Sequence, residues 1–137
     1  MRSRLYEMCR QSLDDMLRGG DRRSIGKSNQ IVKLVLSDPK RFPELFGCLW
    51  DEDPIVRMRA ADAAEKITVT RPELLKPHKL ELLGLLDEAE QIELRWHLAL
   101  MAPRLALTVR RTLEQGLRTG TAAMKVRTRK LLKEMQN

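Results

Sequence analysis

Apolar residues return every third or fourth position along nearly the whole chain. Leu5, Met8, Cys9, Leu13, Met16 and Leu17 follow i, i+3, i+4 steps, the pattern of an amphipathic helix. Gly19-Gly20 closes it, since glycine ends a helix without steric penalty. A second helix is predicted from about Ser24 through Ile25, Ile31, Val32, Val35 and Leu36, up to the Asp38-Pro39 break. Phe42, Leu45, Phe46, Leu49 and Trp50 mark a third. In the turn Asp51-Glu52-Asp53-Pro54, Asp53 suits an N-cap and Pro54 the first helical position, opening a fourth helix that runs to about Ile67. Beyond Arg71-Pro72, Leu80, Leu82, Leu83, Leu85 and Leu86 predict a helix bent at Pro77. After a turn over Asp87 to Glu90, Ile92, Leu94, Trp96, Leu98, Leu100 and Met101 predict a sixth, ending near Pro103. Leu105 to Leu117 reads as a seventh, Gly120-Thr121 as a turn, and Met124 to Met135 as an eighth. No sustained alternation bounded by hairpin turns competes with this pattern, so the expected class is all-α.

Eight short helices joined by turns suggest stacked helical pairs, and the second helix of each pair can be aligned. Val56-Arg57-Met58-Arg59 matches Ile92-Glu93-Leu94-Arg95 thirty-six positions on and Met124-Lys125-Val126-Arg127 sixty-eight on. Ala63-Ala64 then matches Ala99-Leu100 and Leu131-Leu132, which places Trp96 at the core position of Ala60. A weaker first copy begins at Ile25. The expected organisation is one domain, 1–137, in repeats 1–37, 38–70, 71–104 and 105–137. Such pairs cannot bury their own apolar faces and stack to share a core, and Ala60, Ala61, Ala63 and Ala64 would let neighbours approach closely. The fourth repeat departs from the pattern, either as a terminal cap or through a deletion before Val109.

The segment from Asp51 to Ile67 resembles the signature half of a HEAT repeat of the short bacterial, phycobilisome-lyase-like kind. The resemblance covers most of the chain and is strongest over 38–103. It implies a right-handed superhelix of about four helical pairs with a concave binding groove. It also implies a ladder between repeats in which a turn Asp and a second-helix Arg take part. Asp53 and Arg59 match both positions, whereas Arg95 and Arg127 match the Arg alone. The first repeat has Asp21 in its turn but Ser28 in place of the Arg.

Composition narrows the function. The 137 residues are 42% hydrophobic, 33% charged and 4% aromatic, which fits a folded helical domain rather than a disordered chain or an aromatic-rich sandwich. No apolar stretch is long enough to span a membrane, and the N-terminus lacks a signal-peptide core. Cys9 and Cys48 form no CxxC pair, and two histidines complete no zinc set, so both thiols are expected reduced and buried, as in a cytoplasmic protein. No cofactor is expected. Asp51, Glu52 and Asp53, like Glu88, Glu90 and Glu93, lack calcium-loop spacing and read as helix-end acids. His97 has no nucleophile or orienting acid at a recognisable spacing, so no catalytic residue is expected, and His78 reads as a surface residue.

Charge is unevenly spread. The net charge is +7, and residues 104–137 hold nine basic and two acidic residues, an excess equal to that whole net charge. Two docking surfaces follow. The first is a protein-binding groove on the second helices, with candidates Arg57, Asp62, Lys66, Glu93, His97 and Lys125. The second is an anion or nucleic-acid patch of Arg110, Arg111, Arg118, Lys125, Arg129 and Lys133. Lys125, Arg129 and Lys133 recur every fourth position and share a face able to meet phosphates. No aromatics interleave with them, which argues against single-strand stacking. A solvated face, an acidic partner or an anionic membrane surface remain open for the same stripe. The expected function is a non-enzymatic adaptor, with duplex nucleic-acid binding as the alternative. An accessory to an enzyme is a further reading, by fold analogy alone.

Overall fold

A computed structural model describes residues 12–21 and 23–136. Among them are seven α-helices and no strand: α1 Leu13–Leu17, α2 Ser28–Ser37, α3 Phe42–Gly47, α4 Pro54–Thr70, α5 Lys79–Glu88, α6 Ile92–Thr119 and α7 Ala122–Glu134. Three 3-10 segments lie between them, Pro39–Arg41, Cys48–Trp50 and Pro72–His78. Leu5, Met8 and Cys9 lie outside the described residues.

The centre of the fold is α4. Its cap is as expected: Asp53 accepts a hydrogen bond from the Ile55 N–H at 2.9 Å, and Pro54 occupies the first turn. Ala60, Ala61, Ala63 and Ala64 are all fully buried, so α4 meets neighbours around its circumference. It packs against α1, α2, α3 and α6 and against the 3-10 segments that flank it. Alanine allows this because it brings backbones together without side-chain bulk to interdigitate. The core continues through Leu13, Leu17, Ile31, Val35, Phe42, Leu45, Phe46 and Leu49 on one side, and Leu75, Leu82, Leu98 and Met101 on the other. Thus α2, α4 and α6 lie side by side in chain order.

Arg59 is the largest side chain buried almost completely, at 1% exposure. Its guanidinium donates to four carbonyls of the loop between α1 and α2. Nη1 reaches Leu17 O at 2.7 Å and Gly19 O at 2.5 Å, Nη2 reaches Asp21 O at 2.8 Å, and Nε reaches Ser24 O at 3.0 Å. The loop is shaped to fit. Gly20 and Gly26 have φ of +77° and +56°, which only glycine adopts freely. A Cβ on Gly26 would sit 3.0 Å from the guanidinium carbon.

Several expectations need correction. The second helix starts at Ser28 rather than near Ser24. The break expected at Pro103 does not occur: α6 runs unbroken for 28 residues, so the boundary drawn between 104 and 105 falls inside one helix. Proline removes one N–H, and the carbonyl it leaves unmatched is that of Ala99 four residues back. Ala99 and Pro103 are both on the exposed side of α6, where water can satisfy that group. Trp96, expected in the core, is 66% exposed, whereas His78, expected at the surface, is buried and stacked on Phe46 with ring centroids 4.4 Å apart. The apolar residues of α7 are also less covered than its pattern suggests. Met124, Leu131 and Met135 are exposed, and the buried residue of that helix is Thr128, against Gly116 of α6.

Arg59→Met removes the donors to one buried and three partly buried carbonyls and should cost about 3 kcal/mol, roughly 10 °C in thermal midpoint. Gly26→Ala should cost about 2 kcal/mol through the strained φ and the contact with the same guanidinium. Thermal unfolding followed by far-UV circular dichroism checks both. An Arg59→Met variant melting with the wild type would show that the carbonyl cage contributes nothing.

Candidate functional site

The chain joins its helical layers with polar seams, and these seams consume half of the expected groove. Arg57 Nε donates to Gln91 Oε1 at 3.1 Å, and its Nη1 donates to Asp51 O at 2.7 Å and Glu52 O at 3.1 Å. Gln91 returns a bond from Nε2 to Pro54 O at 2.9 Å, so the turns before α4 and α6 are tied together. Asp62 is buried. It accepts from Ser28 Oγ at 2.6 Å and Lys66 Nζ at 2.8 Å, and Lys66 also reaches Asn29 Oδ1 at 3.0 Å, closing α2 onto α4. On the other side of α4, Arg104 of α6 donates to Glu65 O at 2.5 Å, Thr68 Oγ1 at 2.8 Å and Glu65 Oε1 at 2.6 Å. Arg57, Asp62 and Lys66 are therefore internal fasteners. Glu93 is exposed, while His97 and Lys125 are half-buried. The Nδ1 of His97 is buried without a hydrogen-bond partner, and His78 Nδ1 lies 3.6 Å from Glu81 Oε1, beyond hydrogen-bond range.

Of the four ladder positions, Arg59 bridges to the preceding loop through carbonyls. Asp53 does not meet it: its carboxylate caps α4 and lies 4.0 Å from Arg18 Nη1. Arg95 and Arg127 are exposed and make no hydrogen bond or salt bridge among the described residues. The basic patch is exposed except at Lys125, which is half-buried. Within it, Arg110 faces Glu114 at 3.5 Å, a solvent-screened pair of small energetic weight.

Several titratable groups are tied into the fold by hydrogen bonds. Burial pushes the Cys48 thiol up to about 12, with Asp14, Asp51 and Glu44 adding to it. The thiol donates to Glu44 O at 3.4 Å and stays protonated at neutral pH. Partial burial works to raise the Glu44 carboxyl, but the Arg41 guanidinium and the Leu13 N–H outweigh it and hold that group below the ordinary carboxylate range. Glu44 thereby caps α1 from α3. The same balance holds Asp51 low, through the Asp53 N–H at 2.8 Å and Arg18 Nη2 at 2.7 Å. Glu73 is held low by Arg71 and, less strongly, by Arg111. No group of three or more metal-ligating side chains occurs among the described residues, and no described helix is long and apolar enough to cross a membrane.

An open crevice of about 140 Å³ lies between the segment before α5 and the second half of α6, lined by Lys76, Lys79, Leu105, Val109, Thr112 and Leu113. The larger unused surface is the outward side of α6. Leu94, Leu98, Met101 and Leu105 face the core. On the opposite side Ile92, Trp96, Leu100 and Leu107 are 79%, 66%, 42% and 43% exposed, with Pro103 exposed between them. Their spacing of 4, 4, 3 and 4 holds them to one face of a 3.6-residue helix. Helix α6 is thus apolar on two opposite faces. This stripe, Arg104 and the Gln91 clamp were all missed as sites in the sequence. The stripe's spacing was visible, but repeat alignment assigned Trp96 to the core. No family model, curated protein or solved structure matches the chain.

The lowered Glu44 sets a pH dependence. Its folded value lies below the unfolded one, so its stabilisation is present above the unfolded value of about 4.5 and is lost as pH falls through the folded value. Urea midpoints of wild type and Glu44→Gln should differ at neutral pH and converge near pH 3. An equal gap at both values would remove Glu44 from the acid response.

Proposed function

We propose that this chain is a non-enzymatic protein-interaction adaptor that docks its partner on the outward face of α6. The observation that carries the reading is the two-faced apolar pattern of that helix. A surface helix of a globular protein is expected to bury one apolar stripe and expose a polar one. Here the exposed side carries Ile92, Trp96, Leu100, Pro103 and Leu107 over about 22 Å of helix. Exposed apolar surface that includes a tryptophan is the usual composition of an interface core.

The reading keeps the HEAT-like right-handed solenoid as the architecture. In its favour are the side-by-side order of α2, α4 and α6, the capped turn before α4, and an arginine of α4 bonded to the turn of the preceding pair. It moves the docking surface away from the expected concave groove, because Arg57, Asp62 and Lys66 are already committed to seams. It assigns no catalytic role, since the two histidines and Cys48 lack the partners that acid–base or nucleophilic work requires.

Nucleic-acid binding through the last quarter is the second reading, favoured by one observation. Arg118, Arg129 and Lys133 are exposed and have no hydrogen-bond or salt-bridge partner among the described residues. Such charges would bind phosphates with strong salt dependence.

A pull-down with tagged wild type and the Trp96→Asp variant, each divided into nuclease-treated and untreated halves, tests both readings. The adaptor reading expects a stoichiometric protein that survives nuclease and is lost with Trp96→Asp, while circular dichroism of the variant stays unchanged. Undiminished capture by the Trp96→Asp variant would sink the α6 face. Capture that depends on intact nucleic acid would promote the basic quarter instead.

A further inference from the structure

The outward face of α6 has features that specify its occupant. Its apolar positions, 92, 96, 100, 103 and 107, are nearly palindromic about residues 99–100. Turned end for end, the same stripe places Ile92 opposite Leu107, Trp96 opposite Pro103, and Leu100 beside Leu100. The flanking charges are arranged likewise. Glu93 and Arg111 are both exposed and stand eighteen residues apart, which is five full helical turns. They therefore project from the same side of the stripe, one acidic near its start and one basic past its end.

We propose that a second copy of this chain covers the stripe, as a two-fold dimer in which the α6 helices pack antiparallel. The inference rests on the reading of this face as a docking surface and names its partner. A two-fold axis perpendicular to the helices brings each flank against the same flank of the other copy. Each Glu93 then meets the Arg111 of its twin, and the pair forms twice. Along the axis the two Cα positions are offset by about 7 Å. Helical side chains lean toward their own N-terminus, so in antiparallel helices the Glu93 and Arg111 side chains lean toward each other and close that offset. A parallel pairing brings opposite flanks together and forfeits both ion pairs.

Size and shape agree with this occupant. The five exposed apolar side chains offer roughly 500 Å² per copy, so two copies bury about 1,000 Å² before the polar flanks are added, the lower bound for a specific interface. Ala99 and Ala106 border the stripe and let two helix backbones approach closely. Helix α7 does not compete for the space, because it seats on α6 through Gly116, on the side that carries Leu94, Leu98 and Leu105. The Arg110–Glu114 pair lies beyond the stripe's end, and Arg111 feels only a longer-range attraction to Glu73, with no salt-bridge partner among the described residues.

Sedimentation equilibrium of the full chain over a micromolar range tests the proposal. The wild type should sediment at twice its chain mass. Leu100→Glu places two carboxylates beside the axis and should weaken association at least about 100-fold, with the circular dichroism of the monomer unchanged. Glu93→Arg and Arg111→Glu should each weaken it about 10-fold, and the double reversal should restore most of the loss. Monomeric wild type at about 100 µM, a Leu100→Glu dimer of wild-type strength, or a double reversal no better than the singles would each overturn it. A monomeric wild type whose captured partner is still lost with Trp96→Asp would leave the adaptor reading standing and refute only the second copy. Loss of neither would refute both.

Discussion

Arg59 sets the geometry on which the rest of the fold depends. Its guanidinium is buried without a carboxylate, and carbonyls from four residues of one loop satisfy its donors. A buried cation is costly unless every donor is met, so the loop must adopt the one path that supplies those oxygens. That path fixes where α1 ends and α2 begins. It also requires Gly20 to turn left-handed and Gly26 to lie bare against the guanidinium. One side chain on the central helix therefore ties down Leu17, Gly19, Asp21 and Ser24, far from it in sequence. The energy comes from charge-assisted hydrogen bonds to a guanidinium that is itself almost fully buried, a stronger arrangement than an exposed ion pair such as Arg18–Asp14.

The same device recurs with variation on either side of α4. Arg57 holds its own turn carbonyls and reaches the next turn through Gln91, and Arg104 reaches back from α6 to Glu65 and Thr68. Arginine suits these seams because its planar fork can address several carbonyls while its stem packs against apolar neighbours. The alanine-rich surface of α4 needs such fasteners. Small residues bring helices close but supply little side-chain volume to resist sliding, and directional hydrogen bonds fix the register that packing alone leaves loose.

How much of this could be read in the sequence follows from the range of each interaction. Caps and breaks are local, so Asp53-Pro54, Asp38-Pro39 and Gly120 were legible, as was the helical class. The helix through Pro103 was not, because proline is tolerated where the carbonyl it orphans faces water, and that depends on which side of α6 the neighbours occupy. His78 was misplaced for a related reason. A 3-10 segment turns it onto Phe42 and Phe46, and no periodicity encodes that turn. The six groove candidates were chosen as polar positions on second helices. Polarity alone does not separate a residue that waits for a partner from one, like Asp62, already bonded to Ser28 and Lys66. The bonds that cross between helices span more than thirty residues and carry no sequence signature.

Trp96 shows most clearly why one helix can mislead a repeat-based reading. In α4 the aligned position is Ala60, buried because that helix is surrounded. In α6 the aligned position, Trp96, lies on the outward side, and the chain runs straight on through Pro103. Helix α6 is thus one 28-residue rod with apolar positions along its outer side. Retaining Ile92, Trp96, Leu100 and Leu107 there exposes apolar surface and invites aggregation unless something covers it. Covering it with another chain converts that liability into binding energy. The straight run of α6 through Pro103 is therefore what leaves this apolar face open to solvent.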